Sequence, residues 1–159
     1  MSRVSIKGFE TFVPASVEDV WRFHESAEAL KVLTPPSRQV RLSEQDLAVR
    51  EGAMHELRFK IGPLWVPWLA RISNVRPPYG FTDTAIRSPF ARWVHEHEFV
   101  PSEAGTLVRD TVTYALPFGP IGRVVDALFV SRDIDSLFAF RHRATRDRFA
   151  AQSSMEDEV

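Results

Sequence analysis

"IGRVVDALFVSRDIDSLFAFRHRATRDRFAA", residues 121–151, decides the fold. No proline interrupts it, and its apolar residues recur at helical rather than strand spacing. Val130, Ile134, Leu137, Phe138, Ala144 and Phe149 form one stripe. The spacing predicts a single helix from about Ile121 to Ala151, far longer than any strand signal in the chain. A Pro/Gly loop, "PFGPIG" at 117–122, leads into it. Arg143, Arg146 and Arg148 complement the negative end of its dipole. The last eight residues, "QSSMEDEV", are polar and acidic and are expected to fray. This gives one domain over 1–151 and a disordered acidic tail over 152–159.

Everything before the helix reads mostly as strand. Residues 4–13 alternate loosely and end at Pro14. Ser16 then suits an N-cap, with Asp19 at the third helical position. The short helix that follows buries Val17, Val20, Trp21 and His24. A second one over 27–33 stops at "TPP". Strand signals follow at 40–42, 52–61, 64–75, 81–86, 92–100 and 106–116, with Gly62-Pro63 as one turn and "PSEAG" at 101–105 as a hairpin loop. No internal repeat or linker is visible. A single antiparallel sheet has one face to bury, and only the long helix is large enough to cover it. A strongly curved sheet under one helix leaves space for a ligand.

Bulk properties narrow the function classes. The chain has 159 residues, 44% hydrophobic and 26% charged, with formal net charge −1. That balance offers no electrostatic case for nucleic acid or an acidic membrane surface. With no cysteine, disulfides, thiolate metal sites and cysteine nucleophiles are excluded. The first residues alternate instead of forming an apolar run, so no signal peptide is expected. No segment approaches a membrane span of roughly 18 apolar residues. A cytoplasmic location is the default, and the oligomeric state is open. Twelve Phe and four Trp suit either a bulky core or a ring-walled cavity.

The layout resembles the helix-grip fold of the START and birch-pollen-allergen superfamily (SRPBCC). "ASVEDVWRFHESAEALKVLTPP" at 15–36 is similar to the opening helices of its polyketide cyclase/dehydrase-like branch. "RSPFARWVHEHEF" at 87–99 and "YALPFGPIGRVVDALFVSRDIDSLFAFRH" at 114–142 are similar to its hairpin and closing helix. The resemblance covers roughly residues 3–150. It implies an α+β domain: a curved antiparallel sheet of six or seven strands around a long C-terminal helix. It also implies a small-molecule site, because members bind lipids, sterols, polyketides, hormones or quinones, and some are cyclases or dehydratases. No catalytic motif of the family is carried over.

The chemistry concentrates in "RWVHEHEF", residues 92–99. Alternation puts Trp93, His95, His97 and Phe99 on one face and Val94, Glu96 and Glu98 on the other. The glutamates suit solvent, so the histidines point inward. An unpaired buried imidazole costs roughly 1–3 kcal/mol, and Asp110 on the next strand is the expected partner. With Phe99 opposite Thr106, His97 falls opposite Val108 and His95 opposite Asp110. Arg141, read near the centre of the helix's apolar stripe, either snorkels outward or pairs with Asp110 or Glu51. His142 is read nearer the flank.

Four readings fit His95, His97 and Asp110: the polar end of a ligand pocket, a structural network, acid–base catalysis by His95 oriented by Asp110, and a metal site. The first is preferred. His-x-His on a strand can chelate with Asp110 as a third ligand, but the signal is short, and no metal or cofactor is expected. The expected walls are Leu57, Phe59, Trp68, Trp93, Phe99, Val112, Tyr114, Leu137 and Phe138. The expected polar end is His95, His97, Asp110 and Arg141. His24 and His55 are read as satisfied core histidines. "GPLW" at 62–65 and "LPFGP" at 116–120 are turns and candidate lips of a cavity mouth. The expected function is binding of a small, mostly apolar lipid-, polyketide- or isoprenoid-like molecule, without nucleic acid or membrane insertion. The alternative is a cyclase or dehydratase with His95 as base and Asp110 as its orienter. No Ser, Cys or Lys sits in an evident nucleophile motif.

Overall fold

The computed structural model describes residues 3–43 and 47–156. Its first strand, β1 (Ser5–Val13), leads into α1 (Val17–His24). Ser16 caps α1 as expected, its hydroxyl accepting from the Asp19 amide at 3.1 Å. A 3-10 turn (Ala27–Ala29) and α2 (Leu30–Leu33) follow. Six strands come next: β2 (Val40–Leu42), β3 (Met54–Ile61), β4 (Leu64–Arg76), β5 (Gly80–Arg87), β6 (Arg92–Ser102) and β7 (Gly105–Ala115). They form one seven-stranded antiparallel sheet in the order β1-β7-β6-β5-β4-β3-β2. The C-terminal helix crosses its inner face, which is the helix-grip arrangement.

That helix is not one regular cylinder. It begins as α3 (Gly119–Val125), passes through a π turn (Asp126–Val130) and continues as α4 (Ser131–Glu156). Side chains from the sheet hold this junction. Tyr114 donates its hydroxyl to Asp126 at 2.8 Å, and Lys7 donates to the Ser131 carbonyl at 2.9 Å. An irregular helical turn is tolerated where such outside partners take its polar groups. The helical backbone runs five residues past Ala151, to Glu156. Residues 157–159 of the expected tail lie outside the described residues.

The β6–β7 hairpin differs from the expected register by two residues. Phe99 pairs with Val108, His97 with Asp110 and His95 with Val112. The reason is turn length. "PSEAG" is not all loop: Pro101 and Ser102 stay paired with Thr106 and Gly105, which leaves a two-residue turn at Glu103-Ala104. A slip of two preserves the face of every side chain, so the inward set is unchanged. Trp93, His95 and Phe99 are buried, while Glu96 is exposed.

The packed core falls into two clusters. One joins Val13, Val20, Phe99 and Val108 to Phe149 of α4. The other joins Trp93, Val112 and Tyr114 to Ile134 and Phe138 of α4. Phe9 stacks on Phe138 with ring centroids 4.6 Å apart. Along α4 the buried positions are Ile134, Phe138, His142, Thr145 and Phe149. The centre of the buried face therefore carries His142, and Arg141 lies to its side, the reverse of the expected placement. Apolarity alone draws the stripe toward Leu137 and Ala144. His142 and Thr145 displace it because both are satisfied, His142 by Asp110 and Thr145 by the Arg141 carbonyl.

Candidate functional site

Between the sheet and α4 lies a cavity of about 430 Å³. Strands β3 and β4 supply Leu57, Phe59 and Trp68, β6 supplies Trp93, and α4 supplies Leu137 and Phe138. Trp68 meets Trp93 edge-on at 5.4 Å and Phe59 at 5.7 Å, so the rings brace one another as a wall. These six expected wall residues do line the space. Phe99, Val112 and Tyr114 do not. They are at most 1% exposed and belong to the packed clusters, and the Tyr114 hydroxyl is engaged by Asp126. Facing inward placed them on the right side of the sheet but could not separate filled core from empty space. Of the candidate lips, Leu64 and Phe118 are strongly exposed, while Leu116 reaches the cavity lining. On the solvent side, Arg38 pairs with Asp133 and ties the loop after α2 to α4.

The polar end is built from adjacent positions on β5, β6 and β7, with one contribution from α4. His95 Nε2 lies 2.8 Å from Asp110 Oδ1, and His97 Nδ1 lies 3.0 Å from the same oxygen. The other oxygen of Asp110 receives His142 Nε2 at 2.6 Å. Asp83, directly opposite His95 on β5, lies 3.2 Å from His95 Nδ1 and 3.3 Å from His97 Nε2. Each imidazole of the His-x-His pair thus spans two carboxylates. Phe81 stacks on the His97 ring at 4.2 Å. All five polar residues line the cavity.

Burial opposes charge on His95, Asp110 and Asp83, and the mutual contacts overcome it. Burial alone would lower His95, but the Asp110 and Asp83 contacts raise it to about 9. Burial alone would raise Asp110, yet hydrogen bonds from His142, His95 and His97 hold it well below the usual carboxylate range. Asp83 is lowered in the same way by His95 and His97. His24 behaves oppositely. Burial lowers it to about 4 despite its 2.8 Å contact with the Val20 carbonyl, so it stays neutral at the cavity wall. His55 is satisfied by the Ala48 carbonyl at 3.0 Å, consistent with the core reading, though it too lines the cavity.

Arg141 meets neither of its expected partners. Its Nε donates to the Leu33 carbonyl at 3.3 Å, and the guanidinium lies 5.2 Å over the Phe138 ring. Glu51 is engaged elsewhere, by the Val75 amide. The position of Arg141 beside the buried face aims it at α2. Asp83 was absent from the expected site, and His142 was expected at the flank. Period-two alternation in "FTDTA" does place Asp83 on the face of Phe81, which was the available signal. His142 follows Ile134 and Phe138 at four-residue spacing, the same kind of signal.

Known proteins share this architecture. A family model described as polyketide cyclase / dehydrase and lipid transport matches residues 13–139. The chain belongs to that family. Solved structures share its fold. TTHA0849 from Thermus thermophilus superposes with TM-score 0.69 at 22% identity, covering 94% of this chain and 99% of that one. SA2116 from Staphylococcus aureus gives TM-score 0.72 at 12% identity, covering 96% and 98%. Ara h 8.0201 gives 0.67 at 12%, covering 94% and 99%. No curated protein matches the chain. Family membership supports a hydrophobic-ligand-binding or polyketide-cyclase-like fold. Among the described residues, no helix is long and apolar enough to cross a membrane.

Proposed function

We propose that this family member binds a small, mostly apolar molecule in the cavity under α4, and that a carbonyl, hydroxyl or carboxylate of that molecule meets the histidine–aspartate cluster. One observation carries the reading: a cavity of about 430 Å³ with mostly aromatic and aliphatic walls and a concentrated histidine–aspartate cluster. That volume lies within the roughly 300–1,000 Å³ of small-molecule pockets. Lipid-, polyketide- and isoprenoid-like molecules share the required shape. The test is equilibrium binding of cis-parinaric acid, a fluorescent fatty acid, to wild type and to Leu137→Trp, which adds volume inside the cavity. Saturable binding lost in the variant supports the proposal. Equal binding by both contradicts it.

Acid–base turnover by His95 with Asp110 is the second reading, favoured by their 2.8 Å contact. Against it, both ring nitrogens of His95 face carboxylates. Neither offers a lone pair to a substrate until a contact breaks. His95→Gln separates the readings: it spares most binding and abolishes any turnover that uses this imidazole.

A further inference from the structure

We propose that Asp83, His95 and His97 form a binding site for a divalent first-row transition metal at the polar end of the cavity. The claim is independent of the apolar-ligand reading, and a different assay tests it. Three side chains on neighbouring positions of two paired strands each offer one ligand atom, and these atoms lie within 4.8 Å of one another. His95 Nδ1 and His97 Nε2 lie 3.2 and 3.3 Å from Asp83 Oδ2. Two histidines and one carboxylate are a common donor set for Zn²⁺ and Fe²⁺.

The distances separate two kinds of contact. On the Asp110 side, His95 and His97 sit at 2.8 and 3.0 Å, the spacing of hydrogen bonds. On the Asp83 side they sit at 3.2 and 3.3 Å, long for charge-assisted hydrogen bonds. Two ligands of a tetrahedral metal with bonds near 2.0–2.1 Å lie roughly 3.3 Å apart, which is this spacing. Asp110 then takes the part of the outer carboxylate that accepts the remaining ring N–H of each ligating histidine, fixing tautomer and orientation. His142 in turn donates to Asp110.

Charge and access agree. Asp83 and Asp110 bring two carboxylates to the site, enough to balance one divalent cation. The side chains of Asp83 and His97 retain 20% and 14% exposure and line the cavity, so an ion has an approach. The strands fix the three donors without a loop, which favours a preformed site. All three residues line the cavity, so a ligand oxygen could reach an ion held there.

The experiment is calorimetric titration of Zn²⁺ into untagged, EDTA-treated protein, with Co²⁺ absorption as a second view. The expected result is one ion per chain with Kd in the micromolar range or tighter. Asp83→Asn and His97→Gln should each weaken binding at least tenfold, and Asp110→Asn about 10–100-fold through the outer shell. Should the variants fail to fold, histidine ¹⁵N NMR of wild type decides: Zn²⁺ must shift Nδ1 of His95 and Nε2 of His97. Absence of saturable binding, variants within tenfold of wild type, or shifts confined to the other histidines would overturn the proposal.

Discussion

Asp110→Asn is the substitution that most directly probes the buried network. Asp110 is 5% exposed, and its carboxylate receives three imidazole nitrogens, at 2.6, 2.8 and 3.0 Å. The amide keeps the shape but loses the charge, and one of its two positions becomes a donor facing an N–H. Removing one partner of a buried ion pair costs about 3–5 kcal/mol, roughly two to nearly four orders of magnitude in the unfolding constant. A domain of ordinary stability, about 5–15 kcal/mol, would lose a large part of its margin. Urea unfolding of EDTA-treated protein, followed by far-UV circular dichroism at pH 7, measures this. The penalty should shrink at pH 10. His95 has its folded value raised from 6.5 to about 9, so its stabilisation is complete below pH 6.5 and is lost as pH rises through 9. Above that, there is less interaction left to remove. A penalty under about 1 kcal/mol at pH 7, or one that grows toward pH 10, would refute the arrangement described here.

Other outcomes follow from the same geometry. Asp83→Asn should destabilise less than Asp110→Asn, because Asp83 is more exposed and its contacts are longer, as parallel urea curves would show. His142→Phe should cost about 1.5–3 kcal/mol through the lost bond to Asp110, with the ring volume kept among Phe9 and Phe138. Gly80 has φ +143, and a Cβ there would lie 2.0 Å from the His97 carbonyl oxygen. Gly80→Ala should cost about 1–3 kcal/mol from the backbone conformation alone, with more from the clash. It should lower Tm and weaken cis-parinaric acid binding together. His24 makes the acid side informative: with its folded value near 4 and an ordinary value of 6.5, stability falls as pH drops from 6.5 to 4. His24→Gln should flatten part of that slope.

Much of the fold could be read because its signals are local and periodic. The 31 residues from Ile121 to Ala151 lack a helix breaker, and the alternation of "RWVHEHEF" assigns its two faces without any knowledge of partners. What failed depended on distance in the chain. The hairpin register hinged on whether Pro101 and Ser102 pair, which turn geometry settles and composition does not. His142 looked peripheral because a histidine adds nothing to an apolar stripe, although its bond to Asp110, 32 residues away, makes the position interior. Asp83 was overlooked for the same reason: a buried carboxylate makes sense only once β5 is known to pair with β6. Phe99, Val112 and Tyr114 show the remaining gap, since whether an inward ring fills core or bounds a void depends on how far the sheet curves from α4.

A crystal structure of the protein saturated with cis-parinaric acid tests the central claim most directly. The acyl chain should lie among Leu57, Trp68, Trp93 and Phe138, with the carboxylate end toward His95 and His97. Acid bound only on exposed apolar residues such as Phe118 or Phe129, with the space under α4 closed by side chains, would contradict it.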